Sequence, residues 1–283
     1  FLPQLATSPR VSGADVEDAL ARIAIGLLKK VLLADTLGQY VDAIWQLPGV
    51  FTGPNVLLAL YAYSFQIYFD FSGYTDIALG LARLWGFALP ENFDRPYGAA
   101  SPREFWQRWH ISLSTWLRDY LYLSLGGNRG GTARTYLNLF LTMLLGGLWH
   151  GPAWTFIAWG GLHGGWLVVH RWFTRAGRPP RLPRFVRQFV TFHLVVVGWA
   201  LFRAPKLGDA LAQFGTLTNW TSCVVSHQGI LAVVILLAAV VLHSARPAAE
   251  VRRRFTAWPA WVQGVVYAIG TALVFLQAPA GAR

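Results

Sequence analysis

Apolar residues in this chain come in long runs, set apart by short polar and basic stretches. The longest run, Tyr136 to His170, has no Asp, Glu, Lys or Arg. It is roughly twice the ~20 apolar residues that one membrane crossing needs. Upstream, residues 1–20 are polar and acidic and read as a surface segment or short helix, with Ser12 and Asp15 as caps. Ile23 to Ala34 is apolar but holds Lys29 and Lys30 in its middle. That placement predicts an interfacial or end-of-span helix whose lysine stems reach out to water. Asp35 to Trp45 is amphipathic, and Pro48 to Pro54 reads as a turn.

Asn55 to Phe87 is the next apolar segment, and it encloses Asp70 and Asp76. Carboxylates in such a segment must pair, bond to backbone or face a wet cavity. Ser72-Gly73, between them, predicts a break in the helix. Leu89 to Arg134 is strongly polar by comparison. At helical period its Phe105, Trp109, Leu113, Trp116 and Leu117 form one apolar stripe, which predicts a re-entrant or interfacial helix. Gly126 to Gly131 ends that stretch in a turn. Beyond His170 come a basic, proline-rich loop (Arg175 to Arg187) and apolar runs at Phe189 to Phe202, Ile230 to Leu242 and Trp258 to Leu276. No internal repeat is evident. The pattern predicts an all-α, polytopic membrane bundle of roughly seven to nine helices, some re-entrant.

Composition agrees with this reading. The 283 residues are 54% hydrophobic and 13% charged, and mean hydropathy is +0.40, whereas about a quarter of a soluble domain is charged. Fourteen tryptophans and ten tyrosines suit interfacial belts. The net charge of +11 raises the question of nucleic acid. The arginines, however, sit in clusters between apolar runs, at Arg95 to Arg134, Arg171 to Arg187 and Arg252 to Arg254. Such clusters fit the cytoplasmic side of membrane spans and anionic lipid, not a continuous phosphate-binding stripe. The single cysteine, Cys223, excludes an internal disulfide and a thiolate metal cluster. The start at Phe1 and the stop after Ala-Pro-Ala-Gly-Ala-Arg read as a piece of a longer protein that has earlier membrane helices.

Two histidines carry the candidate chemistry. His150 sits inside the uncharged run, in Leu148-Trp149-His150-Gly151, and an ionisable group there reads as functional. A neutral imidazole can take the proton of an attacking hydroxyl, as acyl transfer from a thioester requires. Gly146, Gly147 and Gly151 permit close approach of substrate or another backbone. The alternative is a core histidine bonded to a backbone carbonyl, and the residues alone leave both readings open. His110, about forty residues earlier, reaches His150 only if the fold brings them together. Ser112 and Ser114 lack a Gly-x-Ser-x-Gly elbow and read as helix hydroxyls. Gly126 to Gly131 with Arg129 lacks the Lys-Ser/Thr of a P-loop and reads as a turn. His163 reads as structural. No His/carboxylate spacing points to a metal site.

Several motifs are less generic. Phe65-Gln66-Ile67-Tyr68-Phe69-Asp70-Phe71-Ser72-Gly73-Tyr74, Pro90-Glu91-Asn92-Phe93 and Glu104-Phe105-Trp106-Gln107-Arg108-Trp109-His110 resemble the membrane-bound O-acyltransferase family. So do Trp116-Leu117-Arg118-Asp119-Tyr120, Leu125-Gly126-Gly127-Asn128-Arg129 and Gly147-Leu148-Trp149-His150-Gly151. The likeness is dense from Gly26 to His170, with Gly198 to Arg203 a later element, and it points to the alginate O-acetyltransferase branch. It implies one membrane-embedded domain over residues 1–283, incomplete at both ends, in which helices surround a tunnel joining the two membrane faces. It also implies His150 as the family's invariant histidine and His110 as the second. Acetyl-CoA is the implied donor, and Arg103, Arg108 and Arg129 are candidates for its phosphates. The implied partners are a separate periplasmic acetyltransferase and the polysaccharide-export machinery, in the bacterial inner membrane. Peptidoglycan, cellulose or a D-alanylated teichoic acid are rival acceptors. Outside the family, a transporter relaying protons through Asp70, Asp76 and His150 is the rival class.

Overall fold

A computed structural model describes residues 2–6, 10–47, 50–175, 182–244 and 253–277. Parts of the Pro48 to Pro54 turn, of the Arg175 to Arg187 loop and of the Arg252 to Arg254 cluster lie outside the described residues, as does the C-terminal Ala-Pro-Ala-Gly-Ala-Arg. All regular elements among the described residues are helical. They are α1 (Leu2–Leu5), α2 (Gly13–Leu28), α3 (Asp35–Gln46), α4 (Gly53–Leu84), α5 (Pro102–Trp106) and α6 (Ile111–Trp116). Next come α7 (Gly131–His150), α8 (Trp154–Arg175), α9 (Arg184–Arg203), α10 (Leu207–Thr216), α11 (His227–Ser244) and α12 (Ala260–Gln277). Arg184–Arg203 is long and apolar enough to cross a membrane, and His227–Val241 and Ala260–Leu273 are shorter apolar helices.

The chain forms two compact units, the first comprising Phe1–Gln46, Tyr61–Glu91 and Val225–Arg283. Ser12 caps α2 as expected: its hydroxyl accepts from the Asp15 backbone N–H while the Asp15 carboxylate accepts from the Ser12 backbone. α2 continues through a π-helical turn, Lys29–Ala34, into α3. Lys29 and Lys30 are not simply extended to water. Lys29 and Arg22 hold the buried Asp76 at 2.7 and 3.0 Å, and Lys30 bridges Asp35 and Asp70 at 2.8 and 2.6 Å. Both carboxylates of the apolar segment are therefore paired, as their setting demands.

The expected break at Ser72-Gly73 does not occur, because α4 runs unbroken from Gly53 to Leu84. Gly73 serves helix packing instead. A Cβ there would lie 2.7 Å from the Gly26 carbonyl, and one on Gly26 would lie 2.6 Å from the Gly73 carbonyl. Paired glycines let two helix backbones touch, and the ladder of the longer helix stays intact.

The second unit comprises Leu47–Leu60 and Asn92–Val224. The uncharged run folds back on itself as α7 and α8, joined at Gly151 to Ala153. The hairpin is tight at Gly147, where a Cβ would overlap the Phe156 carbonyl, and at Gly160, where it would overlap that of Met143. α9 packs against α8 through Gly198, beside the His163 ring.

The single stripe-bearing helix expected across Phe105 to Leu117 is not there. α5 ends at Trp106, His110 adopts a left-handed φ of 45°, α6 begins at Ile111, and a π-helical turn follows at Leu117–Tyr122. Aromatic packing and backbone capture override the helical period. Trp109 packs on Phe105, Phe93 and Trp199, and the segment from Asn92 to Asp94 bonds to the backbone of Arg108 and Ile111.

Candidate active site

His150 is the last residue of α7, at the turn into α8. Its half-buried ring meets Trp159 edge-on at 5.3 Å between centroids, Phe202 at 5.2 Å and Phe156 at 6.2 Å. Gly147, one turn earlier, lets the α8 backbone approach, whereas a Cβ on Gly146 would meet the Leu117 side chain and one on Gly151 the Phe156 ring.

His110 sits in the turn between α5 and α6, outside the long helices. A left-handed backbone at a non-glycine residue costs about 1–3 kcal/mol and persists only where its surroundings over-determine it. Asn92 supplies the restraint. Its carbonyl accepts from the Ile111 N–H at 3.0 Å. Its side-chain oxygen accepts from the Ser112 N–H at 3.1 Å and hydroxyl at 2.9 Å, and lies 3.3 Å from His110 Nδ1. Burial, and secondarily the charge that His150 can carry, push the His110 imidazole down to about 4, so it is neutral at pH 7. The fold thus brings the two predicted histidines within electrostatic reach. Ser112 and Ser114 both donate to local acceptors, Ser114 to the Trp109 carbonyl at 3.1 Å, which fits helix-end hydroxyls.

His163 is wholly buried among Trp106, Trp159 and Trp166, with Phe105 stacked at 6.2 Å. Trp159 therefore lies between His163 and His150.

Beside this cluster opens a cavity of about 890 Å³ whose lining includes Arg103, Arg118, Arg171, Arg175, Tyr122 and Asn128. Asn128 Oδ1 accepts from the Tyr122 hydroxyl at 2.6 Å and from Arg171 at 2.9 Å, which fixes that guanidinium. Arg118 is paired with Asp119, whereas Arg103 and Arg171 have no carboxylate partner among the described residues. Cationic groups left unneutralised around a cavity favour an anion. Of the arginines proposed from sequence, Arg103 lines the cavity; Arg108 pairs with Glu104 at 2.6 Å, and Arg129 lies in the glycine turn. From sequence, neither Arg171 nor Asn92 has a site role, although Asn92 lies in the motif Pro90-Glu91-Asn92-Phe93. Arg171 directly follows the uncharged run, a position that suggests membrane topology before chemistry. Asn92 stands eighteen residues from its partner.

A chain whose described residues form only helices, and which holds two histidines within electrostatic reach in the same unit as an arginine-lined cavity, fits acyl transfer, and the comparison with known families agrees. The chain belongs to the membrane-bound O-acyltransferase family, whose model matches residues 6–202. Within it, the chain is 52% identical over 205 residues to "Probable alginate O-acetylase AlgI" of Pseudomonas aeruginosa, covering 70% of this chain and 39% of that protein. It is 43% identical over 190 residues to the peptidoglycan O-acetyltransferase of Helicobacter pylori, covering 66% of this chain and 36% of that protein. Against the teichoic acid D-alanyltransferase of Streptococcus thermophilus it is 32% identical over 217 residues, covering 66% and 51%. The chain thus spans about two fifths of the length of the alginate O-acetylases it matches, 39% for the first and 41% for another.

Proposed function

We propose that the protein containing this chain is a multi-pass O-acetyltransferase of the bacterial inner membrane, and that the chain is part of one acyltransferase domain. It passes an acetyl group from a cytoplasmic thioester, acetyl-CoA, through a tunnel to the far face for O-acetylation of an exported polysaccharide such as alginate. A periplasmic acetyltransferase and the export machinery complete the route. The observation that carries this reading is that His110 and His150, within electrostatic reach of each other, share one unit with the arginine-lined cavity. The 52% identity to alginate O-acetylases supports the polysaccharide acceptor. A proton relay through Asp70 and Asp76 gains no comparable support, since lysine or arginine already holds both carboxylates.

In the mechanism, His150 takes the proton of the acceptor hydroxyl as its oxygen attacks the thioester carbonyl. The C–S bond then breaks, the proton passes from the imidazolium to the departing thiolate, and an ester remains. His110 assists as a neutral imidazole. Arg103 and Arg171 hold the donor's phosphates, as guanidinium forks do.

The test uses membranes carrying the intact protein and labelled acetyl-CoA. Label should enter exported glycan, and Arg171→Ala should raise the KM for acetyl-CoA about tenfold or more with kcat little changed, since one bond to a charged group contributes about 1.5–3 kcal/mol. An unchanged KM removes Arg171 from the donor site. Transfer of D-alanine from a carrier protein, without transfer from acetyl-CoA, overturns the donor assignment and favours a teichoic acid acceptor.

A further inference from the structure

We infer that Asn92 is a positioning residue that fixes the tautomer of His110, so that this ring carries its proton on Nδ1 and presents a lone pair at Nε2. The inference deepens the proposed acyl transfer and rests on that reading for its catalytic consequence.

The Ser112 N–H can only donate, and it lies 3.1 Å from Asn92 Oδ1, which fixes which end of the carboxamide faces this turn. The Ser112 hydroxyl donates to the same oxygen at 2.9 Å. His110 Nδ1 lies 3.3 Å from that oxygen and 3.3 Å from Ser112 Oγ. The carboxamide oxygen has no proton to give, and the shorter contact, 2.9 Å to Asn92 against 3.3 Å to the ring, places the hydroxyl proton on Asn92. Both groups can only accept from the ring, so Nδ1 must be the donor. A neutral imidazole has one N–H, and its lone pair therefore falls on Nε2.

The main chain reinforces the arrangement. The Asn92 carbonyl accepts from the Ile111 N–H at 3.0 Å, and Asp94 N–H donates to the Arg108 carbonyl at 3.0 Å. Asn92 is buried and bonds to Ile111 and Ser112 just after His110, while Asp94 bonds to Arg108 just before it, and together they hold the left-handed backbone that aims the ring. With the lone pair on Nε2, His110 acts in the reaction as an acceptor: it receives a hydrogen bond or a proton and does not donate one to a developing oxyanion.

The experiment uses the intact protein in detergent with 15N-labelled histidine, with His110 assigned through a His110→Gln spectrum. Wild-type protein at pH 7 should show a protonated Nδ1 and an unprotonated Nε2. Asn92→Asp keeps an acceptor oxygen, so it should keep the proton on Nδ1, while its negative charge raises the pKa of the ring. Asn92→Leu keeps the shape without the acceptor; it should shift the ring toward protonated Nε2 and lower kcat about a hundredfold, with the donor KM little changed. Protonated Nε2 in wild type overturns the inference without reference to activity, and so does wild-type kcat in Asn92→Leu. If no variant transfers acetyl groups but the wild-type ring shows the Nδ1–H form, the tautomer assignment stands and the acyl-transfer reading falls.

Discussion

Replacing His150 by alanine should abolish acetylation of the exported glycan while the protein stays in the membrane at its normal level. Loss of a positioned general base removes about 10²–10⁴ of rate, enough to erase acetyl groups in a cell. The local structure explains why folding should survive. His150 ends α7, is half-buried, and meets the rings of Trp149, Phe202, Trp159 and Phe156 at 5.1–6.2 Å, whereas the hairpin is clamped one turn earlier at Gly147. Edge-to-face ring pairs of this kind contribute about 0.5–1.5 kcal/mol each, so some loss of thermal stability is expected without collapse. His150→Gln, which keeps a polar side chain but no base of suitable pKa, should be equally inactive and closer to wild type in stability. The measurement is acetyl content of purified glycan beside membrane abundance of each variant. Unchanged acetylation in both variants would leave His150 a packing residue and remove the central step of the proposed mechanism.

The pattern of runs was a sound guide to where helices lie and a weaker one to how they begin, break and touch. Tyr136 to His170 is long enough for two helices, and it folds as α7 and α8. The capping residues Ser12 and Asp15 are equally plain, because an N-cap is a local device. Ser72-Gly73 misleads because glycine has two uses. It can loosen a helix or let a second helix dock, and only the facing Gly26 decides between them. The stripe from Phe105 to Leu117 misleads for the opposite reason. Phe105 and Trp109 are core residues while Trp116 is exposed, and the two buried rings meet Tyr97, Trp199 and His163 from a broken backbone that periodicity cannot detect. The same holds at the candidate site. His110 and His150 stand out as histidines in motifs, while Asn92 and Arg171 act through partners distant in sequence. A polar residue whose role is to orient another leaves no local signal.

Gly147→Ala should be the most damaging single methyl group that can be added to the α7–α8 hairpin. A Cβ at Gly147 would overlap the carbonyl oxygen of Phe156, and the next nearest atoms are the backbone of Gly160 at 3.1 and 3.2 Å. None of these is the end of a side chain that can rotate away, so the helices themselves must part. Overpacking of this kind costs about 1–3 kcal/mol or more. Helix pairs held by small residues in a membrane have little other driving force to compensate. The effect should reach chemistry as well, because Phe156 and Trp159 on α8 contact the His150 ring and would move with the helix. A misplacement of about 1 Å at a reacting group lowers rate about a hundredfold. Two glycines of α8 supply the comparison. A Cβ at Gly161 would meet Leu144 at an ordinary 3.7 Å, and one at Gly165 would meet nothing within 4 Å. Gly165→Ala should be neutral or slightly stabilising, since alanine is favoured over glycine in a helix by about 1 kcal/mol, and Gly161→Ala should stay within a few degrees of wild type. Thermal unfolding in detergent together with acetyl-transfer rates would separate the three. A Gly147→Ala protein that melts and turns over like Gly165→Ala would mean that the hairpin is not clamped at Gly147, and the position of His150 would then need a different support.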